Sequence, residues 1–499
     1  MNTSIFARFP SWSRGGIALR SSAFAAILCA ALHAHAAQDI YFNENTSGSS
    51  SNRYLNQSSN WYTDAARTQQ FEGTLSSDYN GIINATSQIF ASCVSSLSLN
   101  SLTYNITEAK DYNGYFASLA DNASITLAED FNVNITFTPE TGWIAQSIRM
   151  FHNGLISVGG DFNITFDKNG SGSSGFLEFA IRNDDTSSAM TNRFQVAGDF
   201  NYTAVESGSR LRFTTRIGQF SVGGTMDIGN MLWTISNPSS SEGANISLGG
   251  LAGNSGMITL GSGMASTMTF TNSSLSEVKT TIGYTGDETT LNVTMRASDA
   301  QNGRQILRVS AGAYGTTDAN LGDVIVDSGR LDLGMNSGIT GKYLSLSGIN
   351  GVFSATASDS GNIGAATFES GEWYAGKIAV DIEGELAYDK IVFNGRFDKT
   401  GSDRDMGFEF TFDEYAMRDF ISAGGGEFIL EDVITYETGS TMAGAVFEGN
   451  TSGIRWEAVF GDTSLSVTFT VPEPATAAAV IGAIALAFAA YRRKSRRII

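Results

Sequence analysis

The sequence predicts an all-β fold: a right-handed parallel β-helix (solenoid), closed by a β-rich C-terminal cap and followed by a single C-terminal transmembrane helix. Three observations predict it. First, a short phrase recurs without gaps: Ile125-Thr-Leu-Ala-Glu-Asp-Phe-Asn132, Ile156-Ser-Val-Gly-Gly-Asp-Phe-Asn163, Phe194-Gln-Val-Ala-Gly-Asp-Phe-Asn201 and Phe220-Ser-Val-Gly-Gly-Thr-Met-Asp227, with a decayed copy at Ile246-Ser-Leu-Gly-Gly-Leu251. A phrase returning every few tens of residues marks stacked or radial repeats. Second, each copy alternates apolar and polar positions around a small-residue turn, which reads as strand, corner, strand. Third, the 499 residues include only 5 Pro against 55 Gly. A central ladder needs every N–H, so proline is excluded from it.

In chain order, the first element is an address. Residues 1–36 carry Arg8, Arg14 and Arg20 and no acid, then the apolar run Ala23–Leu32, then Ala34-His35-Ala36. A positive n-region, a short apolar stretch and a small-x-small triplet make a secretory signal peptide, with Ala34 and Ala36 as the small residues of its cleavage site and the cut before Ala37.

Residues 37–371 form the solenoid body. Coils stacked about 4.8 Å apart place equivalent residues in ladders. Phe131, Phe162, Phe200 and Met226 then make an internal apolar column, and Asn132, Asn163, Asn201 and Asp227 a polar ladder at the corner. Asp130, Asp161 and Asp199 fall at corners, where turn geometry suits them. Small residues at 128, 159, 197 and 223 are expected to let the backbone bend. Only Pro139 and Pro238 interrupt the body. The later stretch Val324-Ile-Val-Asp-Ser-Gly-Arg-Leu-Asp-Leu333 keeps the alternation without the phrase. It resembles the strand–turn–strand repeats of autotransporter passenger domains, although those proteins end in an outer-membrane barrel and this chain does not.

From residue 372 the texture changes to more charge and more aromatics, through 471. Asp413–Ile421 is the only helical-looking piece of the body. Asp403 to Glu414 has the length of a calcium loop, but Phe408 stands where the sharp turn requires Gly, so the match fails.

The last element, 472–499, is the most specific. Pro472-Glu473-Pro474 precedes the uncharged stretch Ala475–Tyr491, and Arg492, Arg493, Lys494, Arg496 and Arg497 follow. That stretch has 17 residues, the short end of a membrane-spanning helix. The basic end holds its terminus in the cytoplasm and leaves the body outside. The order of parts resembles the PEP-CTERM sorting signal of Gram-negative bacteria, and the 372–471 region resembles the C-terminal cap of PEP-CTERM β-solenoids. The resemblance implies an exosortase-like membrane enzyme that reads the tripeptide and removes helix and tail, and surface export alongside exopolysaccharide. An ordinary single-pass anchor after a proline-containing linker is the other reading of the same residues.

Composition bounds the chemistry. The chain carries 31 basic and 50 acidic residues, net −19. Removing 1–36 takes three Arg, and removing 472–499 takes five basic residues and Glu473, leaving 23 basic and 49 acidic groups, net −26. Such a surface repels nucleic acid and anionic membranes and keeps the protein soluble. Outside the signal peptide the chain has one Cys, Cys93, and one His, His152. A zinc cluster or an internal disulfide is therefore not expected, and a nucleophile–histidine device would have to use His152. No catalytic residue, metal ligand or cofactor is assigned. The N-x-[ST] matches, among them Asn105, Asn134 and Asn163, read as strand composition in a bacterial protein.

Two functions compete. One is a non-catalytic cell-surface or extracellular-matrix protein serving adhesion or exopolysaccharide association. The other is a secreted β-helix lyase or hydrolase that degrades polysaccharide, which needs carboxylates and bases gathered on one face. Whether the aspartates line a groove or occupy corners discriminates them.

Overall fold

Parallel strands bonded in register dominate the computed structural model. It describes residues 36–471, less 44–53, 86–89, 110–112, 138–142, 169–175, 184–190, 206–209, 237–242, 262–264, 285–288, 312–319, 337–338 and 360, together with Leu486. The described chain is mostly β and its strands join one continuous ladder, an arrangement consistent with a β-solenoid.

One row shows how the ladder is built. Ile40 stands beside Gly81, then come Leu102, Phe131, Phe162, Phe200, Met226 and Leu251. The ladder goes on through Val278, Leu307, Leu333 and Ala355 to the strands Gly376–Ile382 and Met406–Phe412. At roughly 4.8 Å per step, these fourteen strands extend about 60 Å.

Two more rows complete the interior. Ile125, Ile156, Phe194, Phe220, Ile246, Met268, Val293 and Val324 pair in succession. Phe179, Phe213, Trp233, Ile258 and Ile282 form the third row. All these side chains are buried. Side chains alternate across a strand, so one face of each strand feeds a single elongated core and the other faces outward. Phe131 and Phe162 stack at 5.0 Å, and Phe162 meets Phe200 edge-on at 5.1 Å.

The polar ladder of the phrase forms, but not at the corner and not with Asp227. Asn132, Asn163 and Asn201 form an amide ladder, Asn163 Nδ2 donating to Asn132 Oδ1 at 2.9 Å and Asn201 Nδ2 to Asn163 Oδ1 at 3.0 Å. They lie within the strands rather than at the corner. Asp227 leaves the series and accepts from Gly229 N in its own turn. The small residues do not serve bending either: Gly159, Gly160, Gly198, Gly223 and Gly224 are not among the glycines with positive φ. They permit close stacking. A Cβ on Gly159 would fall on the Ala128 carbonyl, and one on Gly160, Gly198 or Gly224 on the aspartate carboxylate of the coil beneath.

The ladder ignores the compositional change at 371/372. Ala365–Trp373 pairs in parallel with Lys390–Phe393 and Phe397–Lys399, and Gly376–Ile382 with Met406–Phe412. Residues 403–414 are thus a turn, a strand and a helix start, which is not the shape of a calcium loop. Apart from the short pairing of Tyr41 and Phe42 with Tyr62 and Trp61, antiparallel pairing enters with Glu427–Thr435, which still lies parallel to Lys390–Phe393, and continues through Val446–Thr451, Ile454–Phe460 and Ser464–Thr470. The intervening helix, Glu414–Ala423, is capped by the Asp413 side chain accepting from Ala416 N at 2.8 Å and buries Met417 and Ile421. The antiparallel sheet covers the end of the core: Trp373 meets Phe447 at 5.5 Å, and Phe410 meets Trp456 at 5.0 Å and Phe469 at 5.2 Å.

Pro472, Glu473, Pro474, Arg492, Arg493, Lys494, Arg496, Arg497 and Ala34 lie outside the described residues, as do Pro139, Pro238 and, Leu486 apart, the stretch 475–491. Among the described residues no helix is long and apolar enough to cross a membrane.

Candidate functional site

The corner aspartates are the first candidates, because enzyme and scaffold readings assign them opposite roles. Asp130 Oδ1 accepts from Asp161 N at 2.8 Å, Asp161 Oδ1 from Asp199 N at 2.8 Å, and Asp199 Oδ1 from Thr225 N at 2.6 Å. Each carboxylate therefore satisfies a backbone donor that the corner takes out of the regular ladder. The glycine one residue earlier in the next coil makes room for it. Asp and Gly are one device: the acceptor below, the gap above.

His152 and Cys93 stand apart from one another's chemistry. The His152 carbonyl accepts from Asn122 N in a corner whose neighbours Asn122 and Asn153 both adopt positive φ. Cys93 is fully buried, its thiol donates to Ser95 O at 2.8 Å, and burial pushes its pKa up to about 12. A thiol so placed stays protonated and is a poor nucleophile. Among the described residues no group of three or more Asp, Glu, His or Cys side chains converges as a metal site.

The densest chemistry lies elsewhere, on the outward side of the strands from Leu275 to Phe412. In register, Arg304 stands beside Arg330, and Val352 separates Arg330 from Lys377. The neighbouring outward row holds Asp332 next to Ser354. Asp332, almost wholly buried, bonds Arg304 and, at 2.7 Å, Arg330 Nε. The two terminal nitrogens of Arg330 each lie 3.9 Å from a further carboxylate, Asp381 on one side and Glu409 on the other. Lys377 closes the strip on Glu409 at 2.8 Å.

A loop lies over its edge. Arg308, itself buried, donates to Thr356 Oγ1 at 3.1 Å and the Ala357 carbonyl at 2.6 Å while pairing with Glu277 at 2.8 Å. At the loop's far end Asp389 accepts from Gly364 N at 3.0 Å, Asp381 N at 3.1 Å and Ser354 Oγ at 3.2 Å. Burial raises the Asp389 carboxyl to about 7, against the pull of those donors. A glycosidase pairs a proton-holding carboxyl with an ionised one around an open cleft. Here the proton-holding carboxyl is 1% exposed and already receives three donors. The strip as built neutralises itself: each carboxylate faces a cation or a backbone donor.

The sequence gives no sign of this strip. Arg304, Arg330 and Lys377 belong to coils without the phrase, and only the paired register aligns them. Compared with protein-family models, curated proteins and solved structures, the chain matches none.

Proposed function

We propose that this chain is an exported, non-catalytic cell-surface or extracellular-matrix protein of a Gram-negative bacterium, presenting a right-handed parallel β-helix with a C-terminal cap. Export machinery takes it through the inner membrane, the helix after Pro474 holds it there, and an exosortase-like enzyme processes it at Pro472-Glu473-Pro474. The body then serves adhesion or association with extracellular polysaccharide and has no business with nucleic acid. The observation that carries the non-catalytic reading is the corner series, in which Asp130, Asp161 and Asp199 are each bonded to the next coil's backbone. The export reading is supported by the order of parts in 1–36 and 472–499.

Glu473→Ala tests it. The span and the basic tail are untouched, so hydrophobicity and topology stay as they were. A processed substrate accumulates uncut in the inner membrane, seen by fractionation and intact mass in the native host. Equal amounts of full-length protein in variant and wild type make the tail a plain anchor. The second reading, a secreted polysaccharide lyase or hydrolase, draws on the charged strip around Arg330. Its test is Arg330→Gln: loss of a measured cleavage activity, in a chain that melts like wild type, favours the enzyme.

A further inference from the structure

The stack ends on three strands, and the cap closes only two of them. Lys390–Phe393 is continued by the parallel strand Glu427–Thr435. Along Phe397–Lys399 hydroxyls stand in for a next coil: Ser440 Oγ accepts from Phe397 N at 3.1 Å, and Thr441 Oγ1 accepts from Lys399 N at 2.7 Å. The third strand, Met406–Phe412, pairs with Gly376–Ile382 on one edge and, among the described residues, with nothing on the other. Val446–Thr451 comes near it through Phe447, whose ring meets Phe408 at 5.6 Å, but its own ladder is with Ile454–Phe460. Alternate residues of Met406–Phe412 therefore offer an unpaired N–H and C=O in one line.

Such an edge fits one kind of partner, an extended backbone, and folded proteins blunt it with proline, lysine, a bulge or a cover. Met406–Phe412 has none of these: its register runs unbroken, and its outward residues are Gly407, Glu409 and Thr411. The chain's own continuation is a poor filler. Ser464–Thr470 is already paired on both edges, and Pro472 and Pro474 after it lack the N–H that a ladder requires. We propose that a second copy fills the edge: the Met406–Phe412 strands of two copies pair antiparallel about a two-fold axis and join the solenoids end to end. A two-fold pairing needs no element beyond the strand itself. With Phe410 opposite Phe410, Glu409 falls opposite Thr411, so no two acids meet across the seam of a chain with 50 acids against 31 bases. On the inner side Phe408 faces Phe412, the one ring of the three that a single copy leaves half-buried. Such a dimer does not depend on how the tail is processed.

The test follows mass by sedimentation velocity and amide protection by hydrogen exchange, on the purified full chain in mild detergent over a dilution series. Wild type runs as a dimer at the upper concentrations, and alternate amides of 406–412 lose protection as it dissociates. Thr411→Glu sets an acid against Glu409 of the second copy, twice by symmetry, and weakens the dimer about tenfold. Thr411→Lys sets a cation there and shifts the equilibrium the other way. Thr411 is exposed, so both variants melt like wild type. Val446→Glu, at an exposed position on the cap's outer strand, leaves the dimer unchanged. A wild type that is monomeric throughout, a dimer indifferent to both Thr411 variants, or one that Val446→Glu dissolves overturns the proposal. Amides protected in a monomer give the edge to the chain's own tail, and masses growing beyond two copies give head-to-tail stacking. Either result replaces the two-fold dimer.

Discussion

Gly198→Ala is the sharpest probe of how the coils are held together. A Cβ there falls on the Asp161 carboxylate and comes within 2.8 Å of the Gly160 carbonyl oxygen, in a backbone that has no other reason to need glycine. Either the coil lifts or the carboxylate leaves, and if it leaves, Asp199 N loses its 2.8 Å acceptor. Overpacking costs about 1–3 kcal/mol, and an unpaired buried donor about 1–3 kcal/mol more. Asp161→Ala alone incurs only the second cost. In the double variant the added methyl no longer meets a carboxylate and only the contact with Gly160 remains, so the two changes together cost less than their sum by about 1–2 kcal/mol. Because a stacked array does not unfold as one unit, the assay is native-state hydrogen exchange over residues 194–205, supported by urea unfolding. Gly407→Ala is the control: its Cβ meets nothing nearer than 4.0 Å, and the change stays within about 0.5 kcal/mol. Additive costs, or a Gly198→Ala chain as stable as Gly407→Ala, refute the paired device.

Three further expectations follow from burial. Phe162→Ala removes a ring with no exposure and neighbours at 5.0, 5.1 and 5.3 Å, and lowers the stability of the surrounding coils by about 3–5 kcal/mol in thermal and urea unfolding; a loss under 1 kcal/mol places the ring outside the core. Asp332→Ala leaves Arg304 and Arg330 together without the carboxylate they share and costs about 3–5 kcal/mol, whereas an unchanged melting temperature removes the strip's structural role. Asp389, raised to about 7, binds its proton more tightly folded than unfolded. Its ionisation therefore subtracts stability as pH rises from about 4 to 7, with a ceiling of about 4 kcal/mol. Asp389→Asn loses that part of the slope, read as the difference between the two chains' unfolding free energies at pH 4.5 and 8, and parallel profiles contradict it.

What the sequence reveals here depends on whether a feature repeats. Phe131, Phe162 and Phe200 are legible because one spacing, read as a stack, puts all three in a single column. The same spacing aligns Asp130, Asp161 and Asp199 but is silent on their partners, since a backbone N–H has no letter. Gly159 departs from its sequence reading for a related reason. Glycine is usually read as freedom to turn, yet here it is room for a neighbour 31 residues earlier, the carbonyl of Ala128. The parallel pairing across 371/372 was hidden because charge and aromatic content describe surface and filling, not which strand lies beside which. Arg304, Arg330 and Lys377 escaped altogether: register shifts in the long strands break any constant spacing.

A stacked fold also says why some recurrences need no outside cause. An apolar column recurs because each level must fill the same core. An asparagine column recurs because each amide both gives and receives, as Asn84, Asn105 and Asn134 do at 2.8 and 2.9 Å, so adding a level adds a bond. The aspartate column recurs because every corner frees an N–H. These series stabilise themselves, and their persistence needs no ligand.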